Sequence, residues 1–401
     1  MALYIQKFGG TSVADLACIH RVAERVRQTR AAGHDVVVVV SAMAGETDKL
    51  IALAAEMTDT FCPREYDVLL TTGELATIAL LSMLLQKQGC AARSYTAHQI
   101  RIFTNGVHRN AHITGIEVEQ VTKTLSDGCV PVIAGFQGIS PTGEITSLGR
   151  GGSDATAVAL AAALQAKECQ IFTDVDGVFN ADPRIVPSAQ MLPEVSYDEM
   201  LQMATLGAKV LQNHAVELAV ENNVPLRVRS TFSDHPGTLL CHHVARMKSR
   251  PVMGIVSKRD VALFSFVGLK GGIANLTLIS EALSARGIAV DIVFAGGDQA
   301  TSLCFSVAED EAALARLAVE EALNDPSVVL SVNTKVAQLS IVGRGLLSRR
   351  DILPQALGAL QACSVELLML STSEIKISLI IDQKKLETCV QKLHNALGLS
   401  S

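Results

Sequence analysis

Along residues 1–240, short apolar runs rich in β-branched residues alternate with longer Ala- and Leu-rich stretches whose polar positions recur at helical spacing. The short runs predict strands at Leu3–Phe8, 36–41, Val130–Ala134, 169–173 and 225–228. The stretches between them predict helices near 13–31, 65–88, 116–126, 153–166 and 209–222. Such alternation implies an α/β fold: a mainly parallel sheet sandwiched by helices. Ligands of such sheets collect at the carboxyl ends of the strands, where the strand-to-helix loops gather.

A seam follows. Ser233-Asp234-His235-Pro236-Gly237 is a turn sequence, and residues 242–251 are polar and basic. Beyond it the pattern repeats: Phe266-Val267-Gly268 recurs as Ile341-Val342-Gly343, and Val290-Asp291 as Val365-Glu366, both at an offset of 75 residues. Each copy reads strand, turn, helix (276–286; 353–362), strand, strand, helix (311–323; 385–397), the order of a ferredoxin-like βαββαβ unit. The expected organisation is a large α/β domain over 1–243, a linker over 244–260, and two small modules over 261–335 and 336–401.

Composition narrows the class. Hydrophobic residues make up 49% of the 401 and charged residues 18%, enough apolar material for sizeable cores, so global disorder is excluded. A mean hydropathy of +0.32 raises the question of a membrane. The longest apolar candidate, 78–85, is bracketed by Glu74 and Lys87 and falls short of the roughly 20 residues a bilayer requires, so no membrane span is expected. A net charge of −6 without any Lys/Arg block argues against nucleic acid as a partner. The N-terminus runs directly into a strand pattern, and the nine Cys are scattered with no Cys-x-x-Cys pair; together these suggest reduced thiols and a cytoplasmic protein.

Three loops could carry chemistry. Lys7-Phe8-Gly9-Gly10-Thr11-Ser12 ends the first strand and leads into a helix, so glycine backbone and a helix N-terminus could cradle an anion beneath Lys7. Ser12 with Asp15 three positions on reads as a capping pair. The plain alternative is a tight turn with a surface lysine. Leu148-Gly149-Arg150-Gly151-Gly152-Ser153-Asp154 opens a second helix, with Ser153 or Asp154 as cap and the Arg150 fork suited to a carboxylate or phosphate. Thr173-Asp174-Val175-Asp176-Gly177-Val178-Phe179-Asn180-Ala181-Asp182-Pro183-Arg184 follows a buried-type strand, where a nucleotide and its metal could sit; an acidic turn is the plain alternative. Ser41 to Thr47, Gly73-Glu74 and Lys209 are weaker signals. His108 and His112, four apart, are flanked by Asn105-Gly106 and Thr114-Gly115, which disfavours a helical metal pair, and no metal ligands are assigned.

Together these loops resemble the aspartate kinases of the amino acid kinase family. Lys7 to Ser12 matches that family's opening signature residue for residue, and Val39 to Met43, Gly73-Glu74, Ala134 to Gly138, Leu148 to Asp154 and Thr173 to Arg184 follow in the family's order. The repeated C-terminal unit, with Ser371-Thr372-Ser373-Glu374-Ile375-Lys376-Ile377-Ser378, resembles a tandem ACT pair. The resemblance implies transfer of the ATP γ-phosphoryl group to the side-chain carboxylate of L-aspartate, the first step towards lysine, threonine and methionine. It implies a catalytic set of Lys7, Asp154 and Lys209. Nucleotide would be held by Lys7, Phe8, Gly9, Gly10, Thr173, Asp174, Phe179, Asp182, Arg184 and Lys209, with Mg²⁺ bound mainly through ATP phosphates. L-Aspartate would be held by Ser41, Thr47, Glu74, Arg150, Gly151, Gly152 and Ser153. A homodimer or higher oligomer through the ACT domains, with an amino-acid effector at their interface, is also implied.

This chain departs from the family in three places, one of them Arg349-Arg350-Asp351 in the second ACT copy, where a Pro-Gly turn is usual. Phe179 stands where many relatives carry Tyr, and Gly271-Gly272-Ile273-Ala274 replaces an Asp-x-Pro-Gly turn in the first ACT copy. The carboxylate that would accept an effector's ammonium group is absent there, so weak or altered feedback is expected. Rival readings are a sister kinase acting on N-acetylglutamate, glutamate or a nucleoside monophosphate, and a non-catalytic amino-acid sensor.

Overall fold

A computed structural model describes residues 1–58, 60–208, 210–242, 251–269, 273–296, 302–323, 325 and 328–400. The chain divides into two compact units, 1–178 with 191–246, and 179–190 with 247–401.

The first unit is built on an eight-stranded sheet. In spatial order its strands are Glu194–Ser196, Thr238–Cys241, Leu226–Ser230, Glu168–Thr173, Leu3–Phe8, Asp35–Val40, Val130–Ala134 and Ala92–Tyr95. All neighbours are parallel except the pair Leu226–Ser230 and Thr238–Cys241. Val36 to Val40 are fully buried, as expected for a strand covered on both faces. Helices Leu16–Ala31 and Thr72–Lys87 supply Ile19, Val22, Val26, Ile78, Leu81 and Leu85 to that core.

Three features differ from the sequence reading. A second, four-stranded sheet (Ile113–Ile116, Ile102–Thr104, Gln137–Ile139, Ile145–Ser147) was not foreseen, because its strands are three or four residues long and leave almost no periodicity to read. The helix expected over 65–88 is two, Pro63–Leu70 and Thr72–Lys87, meeting at Thr71, whose hydroxyl donates to the Asp67 carbonyl at 2.9 Å. Taken together, 63–87 is 25 residues and, by length and composition alone, apolar enough to cross a bilayer, longer than the 78–85 stretch suggested; half of its most apolar window is buried, with Ile78, Leu81 and Leu85 against the sheet.

The second unit is one six-stranded antiparallel sheet, in the order Val293–Gly296, Ser302–Ala308, Val252–Val267, Val329–Gly343, Lys376–Asp382 and Leu367–Thr372. The strand Val252–Val267 takes in residues 252–260 of the expected linker. Its register with Val329–Gly343 explains why: 252–258 pairs with 338–343, and 264–267 with 329–332. Each long strand therefore serves both ferredoxin-like modules, and the second module is completed by 252–258. The Gly271-Gly272 turn lies outside the described residues.

Residues 179–190 belong to this unit, with Ala181 and Val186 in its core. The Asn180 carbonyl accepts from Ile255 N at 2.8 Å, and its side chain donates to Leu399 O at 2.8 Å while accepting from Gln190 N at 2.9 Å. A Cβ on Gly254 would come within 2.6 Å of the Asn180 carbonyl oxygen, so only glycine allows this approach. Fully buried His394 sits 3.1 Å from both Asn180 Oδ1 and Ser400 Oγ. Because Oδ1 can only accept, Nε2 carries a proton, while Nδ1 meets the Ser400 hydroxyl, which itself donates to Asn395 Oδ1 at 3.3 Å. Burial pushes the His394 pKa below its usual 6.5. The unfolded chain then binds the proton more readily, so stability present above pH 6.5 is lost as pH falls below it. In urea unfolding of the full chain, wild type should lose more stability between pH 7 and pH 5 than His394→Gln; parallel pH profiles would contradict the assignment.

Candidate active site

Lys7 is the last-but-one residue of its strand and only 9% exposed, so its ammonium needs a partner on the spot. Asp154, in the first turn of the helix Gly152–Ala163, provides it: Nζ lies 2.5 Å from Oδ1, the two meeting as charges rather than as an aligned hydrogen bond. Nζ lies over Gly9, where an added Cβ would stand 3.2 Å from it. The loop is pinned from below by Ser12, whose hydroxyl donates to the Phe172 carbonyl at 3.2 Å and accepts from Thr231 Oγ1 at 2.7 Å. Ser12 is thus not the helix cap expected from the sequence. Asp15 is, accepting from Cys18 N at 2.7 Å, which holds its carboxyl pKa below the usual value. Gly9 N donates to the Phe172 carbonyl at 3.3 Å, so of the two glycine amides only that of Gly10 has no backbone acceptor among the described residues.

The second glycine loop also differs in detail. Its helix starts directly after Gly151, and neither Ser153 nor Asp154 caps it, since both lie inside the first turn. The amide of Gly152 donates to Gly149 O at 3.1 Å, leaving those of Ser153 and Asp154 as first-turn donors with no intrahelical acceptor. Arg150 is exposed and makes no ion pair among the described residues.

Glu74 is the most informative group. It is 3% exposed, in the first turn of Thr72–Lys87; Oε1 accepts from Ala42 N at 3.0 Å, while Oε2 is buried with no donor. Burial pushes its pKa up to about 7, against the opposing pull of the Ala42 and Glu74 amides. The backbone fit is close: a Cβ on Gly73 would stand 2.8 Å from the Ala42 Cβ, so glycine is required for Glu74 to reach the Ala42 amide. The Ala42 carbonyl in turn lies 3.3 Å from a Cβ built on Gly10. One short loop therefore joins the lysine's glycine turn to the buried glutamate. Half-buried Ser41 and Thr47 flank that loop, with Ser41 N donating to Phe8 O at 3.1 Å.

Sequence reasoning passed over Asp67 and named Ala42 only as part of the Ser41–Thr47 loop, with no role of its own. Asp67 is fully buried and accepts from Ser147 Oγ at 2.6 Å, Arg109 N at 3.1 Å and His108 Nδ1 at 2.7 Å, tying the 105–112 loop to the strand that feeds Arg150. An acidic residue among the apolar positions of Pro63–Leu70 was the available signal. His108 thus belongs to Asp67, and the His112 ring lies 5.0 Å from that of His214.

The acidic cluster is divided. Thr173 and Asp174 lie in the first unit, where Thr173 Oγ1 donates to Asp174 Oδ1 at 2.9 Å. Half-buried Phe179, with Asp182 and Arg184, lies in the second unit. The Arg184 guanidinium donates to Asp182 at 2.7 Å and holds its carboxyl pKa below the usual range. Lys209 lies outside the described residues. Among the described residues no three His, Cys, Asp or Glu side chains group as an ion site.

The amino acid kinase family profile matches residues 2–230, and an ACT domain profile matches 339–397. Aspartate kinase of Pseudomonas putida is 45% identical over all of this chain and 98% of its own length. Among solved structures, E. coli aspartokinase III in complex with aspartate and ADP superposes with a TM-score of 0.83 at 24% identity, over 99% of this chain and 100% of that one. The same enzyme in complex with lysine and aspartate gives 0.80 at 25% identity, over 98% and 99%. With its glycine turn, buried lysine–aspartate pair and full-length likeness to these proteins, the chain belongs to the amino acid kinase family, in its aspartate kinase branch.

Proposed function

We propose that the chain catalyses ATP-dependent phosphorylation of L-aspartate, giving 4-phospho-L-aspartate and ADP, the first step towards lysine, threonine and methionine. The side-chain carboxylate oxygen attacks the γ-phosphorus while the bond from that phosphorus to the β–γ bridging oxygen breaks. A carboxylate is already a nucleophile, so no protein base is needed, and catalysis rests on positioning and charge. Lys7 lies against the transferring phosphoryl group, Asp154 holds its ammonium in place, and Gly10 N with the Ser153 and Asp154 amides receives oxyanions. Arg150, exposed and without an ion pair among the described residues, takes a substrate carboxylate, with Ser41, Thr47 and Gly151 around it. The family resemblance assigns Thr173, Asp174, Phe179, Asp182, Arg184 and Lys209 to the nucleotide, with Phe8 and Gly9 in the glycine turn. Mg²⁺ would be carried mainly on the ATP phosphates, where it would neutralise charge. Feedback by an amino acid at the ACT unit, and assembly through it, complete the reading.

The observation that carries a free α-amino acid such as aspartate, rather than N-acetylglutamate or a nucleoside monophosphate, is Glu74. A buried carboxylate with one oxygen held by Ala42 N and the other without a donor is built to receive a cation, and an α-ammonium group supplies one. N-acetylglutamate, whose amine is acylated, and nucleoside monophosphates do not.

Two outcomes follow. With ATP, Mg²⁺ and hydroxylamine as acyl-phosphate trap, L-aspartate should yield hydroxamate, with glutamate and N-acetylglutamate at least tenfold slower; equal or greater turnover of N-acetylglutamate would sink the assignment. Because Glu74 must ionise from about pH 7 to pair with ammonium, KM for aspartate should rise about tenfold per pH unit below 7 while kcat changes less. Glu74→Gln should raise KM and flatten that profile. An unchanged slope in the variant would remove Glu74 from the ammonium site.

A further inference from the structure

Strand alternation puts Tyr4, Gln6 and Phe8 on the sheet face opposite Lys7. Register aligns Gln6 with Gln170 and Phe8 with Phe172 on the next strand, and Arg227 and Arg229 continue those two rows. A covered parallel sheet calls for apolar residues here, and this face carries two glutamines and two arginines instead. Beneath the last turns of Leu16–Ala31 the glutamines and Arg229 border a cleft of about 270 Å³, lined also by Tyr4, His34 and Phe172 among others.

The polar groups around it are incompletely satisfied. Gln6 is 1% exposed; its amide nitrogen donates to Thr29 Oγ1 at 2.9 Å and Gln170 Oε1 at 3.0 Å, using both hydrogens, and its Oε1 receives none. His34 Nδ1 is likewise buried without a partner. The other two arginines are engaged: Arg227 by Glu168 at 2.9 Å, Arg25 by Asp234 and the Ser233 and Thr231 carbonyls. Arg229 has neither an ion pair nor a hydrogen bond among the described residues, and lies 5.5 Å from the Phe172 ring centroid with Nε buried. Burial, and then the neighbouring Arg25 and Arg227, push its pKa down. A buried donor and a buried acceptor left open on one cleft cost stability, and for Arg229 that cost is offset among the described residues only by the Phe172 ring and by the Glu168 and Asp234 carboxylates, neither of them bonded to it.

We infer that this cleft binds a small oxyanion, a carboxylate or phosphate, whose molecule also carries an N–H or O–H donor: the anion lies on the Arg229 guanidinium and the donor on Gln6 Oε1. The site lies on the sheet face opposite Lys7, and none of its lining residues is assigned to aspartate or nucleotide. An unpaired guanidinium is kept here against stability, which marks binding rather than packing.

The test is calorimetric titration and thermal unfolding of the full chain with inorganic phosphate, glycerate and acetate. Phosphate and glycerate should raise the wild-type midpoint, acetate less, since it lacks the donor. Arg229→Leu should start with a higher midpoint in anion-free buffer and bind phosphate and glycerate at least tenfold more weakly; Gln6→Leu should erase the preference of glycerate over acetate. Wild-type affinity in Arg229→Leu, or a response lost in Arg150→Gln but kept in Arg229→Leu, would overturn the site. Should Arg229→Leu fail to fold, Gln6→Leu and Arg229→Lys decide it, and undiminished anion binding in both would overturn it equally.

Discussion

A lysine ammonium and an aspartate carboxylate meet at 2.5 Å beneath a glycine turn, both nearly closed off from water, and the rest of the catalytic unit is arranged to keep them there. Taking two such charges out of water costs several kcal/mol each, about what their attraction returns, so a buried pair is a poor stabiliser. It does hold a positive charge at a fixed point. Lys7 comes from the central strand and Asp154 from the helix that follows the second glycine loop, so sheet and helix are committed to one relative position. The Ser12 hydroxyl bonded to Phe172 O, and the Gly9 amide bonded to the same carbonyl, fix the turn beneath it.

The second charge in the site is handled in the opposite way. Among the described residues Glu74 has no cation beside it, only the Ala42 amide and its own, and burial leaves it half protonated near neutrality. Lys7 is compensated inside the protein, whereas Glu74 waits for its compensation from outside. On the proposed reading, that contrast separates a group that holds charge throughout the reaction from one that recognises a charged substrate. Ala42 connects the two, touching the glycine turn through its carbonyl and Glu74 through its amide.

The legible parts were those where one local pattern has one physical meaning. The five-valine run reads as a covered strand because little else tolerates such residues in sequence. The Lys7 to Ser12 motif reads as an anion turn because glycines, lysine and a helix start coincide. Capping was misjudged at Ser12 and Ser153 for a related reason: a hydroxyl before a helix can cap it or bond across the fold, and tertiary partners, Phe172 and Thr231, decided the first case. The interlocked strands 252–267 and 329–343 were hidden because pairing between distant segments leaves no local signature. Glu74, Asp67 and Gln6 share a fainter signal, a polar residue at a position that periodicity marks as buried. Only Glu74 was singled out, and by resemblance rather than by that rule.

If the Lys7–Asp154 pair is retained for phosphoryl transfer and not for folding, stability and turnover must part company when it is replaced. The direct measurement is a double-mutant cycle of Lys7→Met and Asp154→Leu, reading urea stability and turnover with ATP and L-aspartate on all four proteins. Each single change leaves a lone buried charge and should cost about 3–5 kcal/mol, and the double change should recover most of that loss. Turnover should fall by roughly a thousandfold in the double variant despite its recovered stability. A double variant as unstable as the sum of the singles, or one that keeps wild-type turnover, would contradict the account.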